Sequence, residues 1–256
     1  MSVLRVGIAG ASGRMGQALL DAAAAADGIA VGSAVDLAAG AWGRVPIGTD
    51  VSAAIAQCDV LIDFTRPAGT LEHVRACVAA KRAIVIGTTG FAPAQVDEIR
   101  RAAAIVPIVM APNMSVGVNV MLRLVELGSR ALGPDYDVEV FEMHHRKKVD
   151  APSGTALKLG EVAAAARGAS LDETAVFARQ GATGERRAGS LGFSVARGGD
   201  VVGDHTVFFA GTGERIEITH RSSSRATYAQ GAMRAARFLA GKPPGLYDMQ
   251  DVLGLR

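Results

Sequence analysis

Short apolar runs alternate with segments of about one helix length through the first part of the chain. Five runs rich in aliphatic residues, at 4–9, 29–35, 60–64, 83–86 and 105–110, have the composition and length of strands. Stretches of good helix formers, at 15–26, 69–80 and 93–104, lie between them. Strands that alternate with helices are typical of a doubly wound parallel sheet, so we expect the α/β fold class.

The pattern changes after residue 114. A long helical stretch at 115–132 precedes an alternating strand at 136–143, a helix at 155–166, and short strand candidates at 176–179, 192–197, 206–210 and 214–219. These segments predict an α+β domain with a mainly antiparallel sheet. Helical periodicity returns at 225–240, and we expect that helix to pack on the first domain. The predicted domains are therefore 1–114 with 226–256, and 115–225.

Composition excludes several classes of protein. The 27 Lys and Arg residues nearly balance 25 Asp and Glu residues, so the net charge of +2 gives no overall field that would attract nucleic acid. Hydrophobic residues make up 49% of the chain, which excludes disorder as its main state. No apolar run reaches the roughly 20 residues of a membrane span, so we expect neither a membrane anchor nor a signal peptide.

The two cysteines, Cys58 and Cys77, lie in apolar periodic segments. They are expected to be reduced core residues, which indicates a cytoplasmic location. His73 and Cys77 stand four residues apart, but two such residues without further ligands make a poor metal site. We therefore expect no metal.

A glycine-rich turn directly follows the first strand. Glycines let the backbone approach a pyrophosphate closely, and the N–H groups at the start of the next helix attract its charge. Asp36 ends the second strand, where an acidic residue is expected to bind the adenosine ribose. The strict motif has Gly where this chain has Ala11, and a purely structural turn is the alternative. The candidate dinucleotide contacts are Gly10, Ala11, Ser12, Gly13, Arg14, Met15 and Asp36.

Two further loops follow predicted strands, at the sheet edge where ligands bind in such folds. Each loop alone is more typical of an ordinary connection, but together with the glycine turn they predict a site for a nicotinamide riboside. The candidate contacts are Gly87, Thr88 and Thr89 in one loop, and Ala111, Pro112, Asn113 and Met114 in the other.

The densest chemistry lies at 142–156. A basic cluster that includes His144, His145 and Lys148 follows a predicted strand. After it, Ser153, Gly154 and Thr155 open a helix. Hydroxyl and N–H groups at a helix N-terminus can hold a carboxylate, Lys148 adds a positive charge, and histidine can move protons near neutral pH. Adjacent histidines on a strand point to opposite faces, so we expect His144 and His145 to have different roles.

A solvated basic loop that touches nucleic acid is the other interpretation of this cluster. No aromatic side chains interleave it, and no second basic patch supports it. We therefore expect a small carboxylate as the partner and no nucleic acid.

The run at 142–156 resembles the signature of the 4-hydroxy-tetrahydrodipicolinate reductases of bacterial lysine biosynthesis, formerly called dihydrodipicolinate reductases. Further motifs of that family match in order at 10–16, 63–67, 86–91, 113–119 and 218–225. The resemblance implies a Rossmann-like domain, a substrate and oligomerisation domain, and a homotetramer. It also implies that NADH or NADPH reduces a cyclic imine dicarboxylate to tetrahydrodipicolinate with loss of water.

The resemblance assigns roles to residues of the cluster. His144 matches the proton donor and acceptor, and Lys148 matches the proton donor. The substrate contacts it implies are His145, Gly154 and Thr155, with Arg225 as a further cation. The glycine turn, Asp36 and the two later loops match the cofactor contacts.

Two positions depart from the family pattern. Met114 stands where many members have an aromatic residue, and Leu37 stands where some have an Arg beside the acidic ribose contact. We therefore expect NADH to be used at least as well as NADPH. Another imino-acid or amino-acid dehydrogenase on the same scaffold is the alternative enzyme. A dinucleotide-sensing regulator is the non-catalytic alternative, and it would need no His–Lys pair.

Overall fold

The computed structural model describes residues 3–256. The chain divides into two compact units. One unit comprises the chain up to Val116 together with Arg225–Arg256, and the other comprises Gly117–Ser224. Among the described residues, no helix has the length and apolar character needed to cross a bilayer.

The elements up to residue 110 are β1 (Leu4–Ala9), α1 (Arg14–Ala25), β2 (Ile29–Val35), β3 (Gly40–Trp42), β4 (Val45–Gly48), α2 (Val51–Ala56), β5 (Val60–Asp63), α3 (Pro67–Ala80), β6 (Ala83–Ile86), α4 (Pro93–Ala103) and β7 (Pro107–Met110). They are followed by α5 (Val116–Leu132), β8 (Asp137–His144), α6 (Gly154–Ala166), α7 (Leu171–Thr174), β9 (Ala175–Val176), β10 (Leu191–Arg197), β11 (Gly203–Ala210), β12 (Arg215–Ser222), α8 (Ala226–Leu239), β13 (Gly245–Tyr247) and α9 (Met249–Leu253).

The first unit is built on an eight-stranded sheet in the order β13-β7-β6-β5-β1-β2-β4-β3. Its pairings are parallel except for the β3–β4 hairpin. Both faces are covered: Val60 and Ile62 of β5 join a core with α1 and α8, and Leu61 joins a second core with α2, α3 and α4. The predicted doubly wound parallel sheet is confirmed.

The second unit contains a five-stranded mixed sheet in the order β12-β11-β8-β10-β9. Strand β11 runs antiparallel to both β8 and β12, as the sequence predicts, whereas β10 runs parallel to β8 and β9. The connection from β8 to β10 passes through α6, and such a crossover returns the chain in the same direction. Helices α5 and α6 pack on one face of this sheet.

The predicted strand at 176–179 was wrong in extent. Only Ala175–Val176 pairs with the sheet, and the following residues form no regular structure. Arg179 instead turns its guanidinium to the Glu139 carboxylate, at 2.9 and 3.0 Å. Arg179 therefore forms an ion pair with Glu139 and does not continue the strand pairing that the apolar residues before it predict.

Candidate active site

The glycine turn in the first unit is shaped for a close approach of backbone atoms. Gly10 has a φ of +68°, and the Gly13 N–H donates to its carbonyl at 3.0 Å. A Cβ atom at Gly16 would lie 2.2 Å from that carbonyl oxygen, so only glycine fits there. Helix α1 begins at Arg14, and its N-cap residue Gly13 supplies no side-chain cap. This helix end suits a pyrophosphate.

Asp36 is held against the glycine turn. Its carboxylate accepts the Ser12 N–H at 2.8 Å and the Leu37 N–H at 2.7 Å. Burial alone would raise the pKa of Asp36, but these hydrogen bonds outweigh it and hold that pKa below its ordinary value. The carboxylate is therefore charged at neutral pH. The Leu37 side chain is 99% exposed and brings no charge to this edge.

The loop after β6 is fixed by polar contacts. The buried Thr88 hydroxyl accepts a hydrogen bond from Thr70 at 2.9 Å and donates to Asp63 at 3.2 Å. At Gly87, a Cβ atom would lie 2.2 Å from the Phe64 ring. A larger residue at this position would therefore displace the Phe64 ring.

The loop after β7 is held by the packing of one of its side chains in the hydrophobic core. The Met114 side chain is 1% exposed and belongs to the hydrophobic core that includes α8. A Cβ atom at Gly231 of α8 would lie 1.7 Å from the Met114 carbonyl oxygen. The Asn113 side chain accepts the Ser115 N–H at 2.9 Å, and the Ala111 N–H donates to the Ile86 carbonyl at 3.1 Å. Packing in the core accounts for the Met114 side chain.

In the second unit, a buried carboxylate organises the cluster around His144. Glu142 and His144 lie two residues apart on β8 and share a face, with Glu142 Oε2 2.5 Å from His144 Nδ1. Glu142 also accepts the Ser153 N–H at 2.9 Å and both terminal nitrogens of Arg197 at 2.8 and 2.9 Å. The proton on Nδ1 is assigned from this contact, and it leaves Nε2 as the free nitrogen of a neutral ring.

The charges of this pair follow from its surroundings. Burial would raise the pKa of Glu142, but the hydrogen bonds from Arg197 and His144 outweigh it and keep that pKa below its ordinary value. Burial also lowers the pKa of His144, and attraction to Glu142 offsets only part of this effect. At neutral pH the site therefore holds an ionised carboxylate and a neutral imidazole.

The turn that opens α6 contains a buried residue, Ser153, and an exposed one, Gly154. Ser153 is the N-cap: its hydroxyl accepts the Ala156 N–H at 3.2 Å, and its own N–H binds Glu142. The side chain is 2% exposed, so Ser153 shapes the turn. At Gly154, by contrast, a Cβ atom would meet no other atom within 4 Å, and the backbone there lies open.

Lys148 lies close enough to His144 to lower the pKa of that histidine. Its Nζ atom is 2.9 Å from Asp150 Oδ1, and its side chain is 21% exposed. His145 follows the end of β8, and its Nδ1 atom is buried without a hydrogen-bond partner. Arg225 belongs to the first unit, where it is the exposed N-cap residue of α8.

His205, which lies on β11, also belongs to this cluster, and no sequence motif predicted it. Its Nε2 atom is 3.2 Å from Ser153 Oγ, and its ring meets the His144 ring edge-on with centroids 5.1 Å apart. Burial, and next the nearby His144, lower the pKa of His205 to about 4, so it is neutral at neutral pH. Its position next to the predicted strand at 206–210 was the available sequence signal.

A doubly wound sheet whose glycine turn leads into an uncapped helix is typical of NAD(P)-dependent dehydrogenases, and the chain is an oxidoreductase of this class. Family models described as the N-terminus and the C-terminus of dihydrodipicolinate reductase match residues 4–114 and 117–253. The chain therefore belongs to the dihydrodipicolinate reductase family.

Curated relatives cover the whole chain. A 4-hydroxy-tetrahydrodipicolinate reductase of Nitrosospira multiformis is 54% identical and covers 100% of both chains. A protein of the same name from Bordetella pertussis is 58% identical over 98% of this chain and 97% of its own.

Solved structures share the fold. A dipicolinate-bound dihydrodipicolinate reductase from Paenisporosarcina sp. TG-14 has a TM-score of 0.80 at 24% identity, and the match covers 98% of this chain and 99% of that one. GenD2 from gentamicin A biosynthesis, solved with NAD, has a TM-score of 0.62 at 14% identity, with 100% and 91% coverage.

Proposed function

We propose that this chain reduces 4-hydroxy-tetrahydrodipicolinate to tetrahydrodipicolinate, with loss of water, in the diaminopimelate route to lysine. The names of the relatives support this substrate, and the solved relative from Paenisporosarcina binds dipicolinate, a small dicarboxylate. The observation that carries the proposal is the Glu142 carboxylate. It joins His144, which can move a proton, to the N-terminus of α6, which can hold a carboxylate.

Dinucleotide binding is assigned to the domain at 1–114 and 226–256. The uncapped α1 N-terminus supports a site for the pyrophosphate, and the ionised Asp36 supports a site for the ribose hydroxyls. A reduced nicotinamide supplies the hydride when the cofactor is bound. The proposed contacts are Gly10, Ala11, Ser12, Gly13, Arg14, Met15, Asp36, Gly87, Thr88, Thr89, Ala111, Pro112, Asn113 and Met114.

The domain at 115–225 is assigned to the substrate. The open backbone at Gly154 and the charge of Lys148 support recognition of a carboxylate, and the buried unpartnered Nδ1 of His145 offers a further polar contact. Ser153 acts by shaping this turn. The proposed contacts are His145, Ser153, Gly154, Thr155 and Arg225.

His144 and Lys148 are the proposed proton-transfer groups. One substrate, one NAD(P)H and one proton give tetrahydrodipicolinate, NAD(P)⁺ and water, so the reaction consumes a proton. The departing hydroxyl leaves as water only when it is protonated, and Lys148 is charged and close to His144. The free Nε2 of neutral His144 can accept a ring proton as water leaves and return it after hydride transfer, so the one proton consumed comes from Lys148, and Glu142 stabilises the transient imidazolium.

NADH is proposed to serve at least as well as NADPH. The Asp36 carboxylate can accept hydrogen bonds from the ribose hydroxyls of NADH, but its negative charge repels the 2′-phosphate of NADPH. Leu37 is exposed beside it and brings no compensating cation.

A homotetramer in the cytoplasm is proposed. Helices α5 and α6 cover the sheet face that carries Val138 and Val140. Phe141 and Phe208 lie on the opposite face, beside Glu139, and the 36% exposure of Phe141 there supports assembly through the second domain. The buried free thiols Cys58 and Cys77 suit a reducing compartment. Light scattering tests the assembly, and a monomer at working concentration would overturn it.

The purified protein, coupled to the synthase that precedes it, tests the reaction. Loss of reduced nicotinamide absorbance should depend on both the synthase and its substrates, and tetrahydrodipicolinate should appear in equal amount. Omission of the synthase is the control. Cofactor oxidation without that product, or no oxidation at all, would overturn the proposed reaction.

A further inference from the structure

A buried carboxylate in the first unit has no place in the chemistry described so far. Asp63 ends β5 and is fully buried. Its Oδ1 atom accepts the Thr65 N–H and the Thr65 hydroxyl, both at 2.7 Å, and the Thr88 hydroxyl at 3.2 Å. The Thr70 hydroxyl oxygen also lies 3.2 Å from Oδ1. Its Oδ2 atom lies 2.6 Å from Nδ1 of His73.

This arrangement keeps Asp63 charged. Burial alone would raise its pKa, but the hydrogen bond and charge of His73 and the bonds from Thr65 outweigh it, so that pKa lies below its ordinary value. A buried carboxylate is costly unless donors surround it. The local sequence supplies those donors from three separate segments.

The segments meet at the carboxyl edge of the sheet. Thr65 follows β5, Thr70 and His73 lie on α3, and Thr88 lies in the loop after the neighbouring strand β6. The Asp63 backbone takes part as well, because its carbonyl accepts the Gly87 N–H at 2.9 Å. Asp63 therefore holds the Gly87–Thr88 segment through both its backbone and its side chain.

The Thr88 hydroxyl is fully oriented by these contacts. It accepts from Thr70 at 2.9 Å, and its own proton goes to Asp63 at 3.2 Å. A hydroxyl with both a donor and an acceptor in place holds one rotamer, which fixes the backbone of its loop.

We propose that Asp63 and His73 are positioning residues that hold Gly87, Thr88 and Thr89 where the nicotinamide half of the dinucleotide binds. This inference rests on the proposed cofactor role of that loop. Neither residue needs to touch the cofactor: Asp63 acts through Thr88, and His73 acts through Asp63.

Asp63→Asn is the direct test. Asparagine has one acceptor oxygen, and its amide group would face donors that now point at a carboxylate. We expect affinity for NADH to fall by roughly tenfold or more, as for the loss of a charged hydrogen-bond partner. Affinity for ADP-ribose, which lacks the nicotinamide, should stay within about twofold of the wild type, because the glycine turn and Asp36 are unchanged.

The matched control is Asp59→Asn, the same change in the same unit. Asp59 pairs with Arg5 at the surface, at 2.9 Å, and precedes β5. Both ligands should bind this variant as they bind the wild type. Titration calorimetry gives the two dissociation constants for each protein, and thermal unfolding reports whether each variant is folded.

The ratio of the two affinities decides the matter. If Asp63→Asn weakens NADH and ADP-ribose equally, or weakens neither, the positioning role is wrong. If the wild type binds NADH no better than ADP-ribose, the proposed cofactor role of the loop fails instead. Should Asp63→Asn not fold, Thr70→Val decides: it removes the donor to Thr88 with little change in volume, and an unchanged affinity ratio would overturn the proposal.

Discussion

The Nδ1 atom of His144 lies 2.5 Å from Oε2 of Glu142, and both side chains are buried on the same face of β8. The same carboxylate binds the Ser153 N–H and the Arg197 guanidinium. One ionised group therefore sets the tautomer of the proposed proton carrier and the position of the turn beside it. Glu142 therefore positions the proton carrier, and a substitution at Glu142 tests the effect of that positioning while His144 itself is kept.

Glu142→Gln is expected to lower kcat by roughly 10²-fold, because the single amide oxygen of glutamine cannot accept the four hydrogen bonds that the carboxylate receives from His144, Ser153 and Arg197. The affinity for NADH should not change, since the proposed dinucleotide contacts lie in the other unit. Steady-state kinetics and NADH titration measure the two effects. Glu139→Gln, on the opposite face of the same strand, is the control, and equal losses in both variants would contradict the prediction.

His144→Gln and Lys148→Ala should each lower turnover by at least ~10²-fold, while the melting temperature stays near that of the wild type. Both residues carry protons in the proposed reaction, and glutamine retains a donor toward Glu142. Lys147→Ala is the matched control, because Lys147 is the exposed neighbour with the same charge. Near-normal turnover of either variant removes that residue from the mechanism.

Gly154→Val should weaken the binding of pyridine-2,6-dicarboxylate to the NADH-loaded enzyme and leave NADH binding intact. The valine side chain would occupy the open space above the α6 N-terminus, where the carboxylate is proposed to lie. Inhibition kinetics measure the change. Gly48→Val is the control, since Gly48 is equally open but lies on β4. An unchanged inhibition constant would move the carboxylate site elsewhere.

The stability of the second unit should depend on pH through His205. Its pKa is about 4 in the fold and about 6.5 when unfolded, so the unfolded chain binds the proton first as pH falls. The contribution of His205 to the free energy of unfolding is therefore constant above about pH 6.5 and falls toward pH 4, by about 2–3 kcal/mol at pH 4.5. Urea unfolding of wild type and His205→Gln measures the difference. Parallel pH dependences in the two proteins would refute this origin.

Much of the fold could be predicted from the local pattern of apolar residues in the sequence. The runs at 4–9, 29–35 and 83–86 became strands with the predicted bounds, because buried parallel strands are continuous apolar runs. The β3–β4 hairpin and β13 were missed because their short sequences, GAW, VPIG and GLY, contain Gly or Pro and are not continuous aliphatic runs like the four-residue β6. The direction of β10 depends on its crossover connection, which side-chain alternation does not record.

Part of the candidate site could be predicted from the sequence, and part could not. The motif at 142–156 placed His144 and Lys148 together because they lie close in the chain. Asp63 meets Thr88 across 25 positions and Ser153 meets His205 across 52, and such contacts arise only from the packing of distant segments. Met114 shows the converse: its side chain lies in the core, which its position in a loop does not predict.

Cofactor choice should be controlled at Asp36 and Leu37. NADH should be used at least as efficiently as NADPH, because the Asp36 charge repels a 2′-phosphate and exposed Leu37 offers no cation. Leu37→Arg should shift the ratio of kcat/KM values toward NADPH by roughly 10- to 150-fold, the range of one charge-assisted hydrogen bond. The substitution should not disturb folding, since the Leu37 side chain is 99% exposed. Leu246→Arg, on β13 at the far edge of the same sheet, is the control for added charge. A wild-type preference of about tenfold for NADPH, or an equal shift in both variants, would show that these two residues do not select the cofactor.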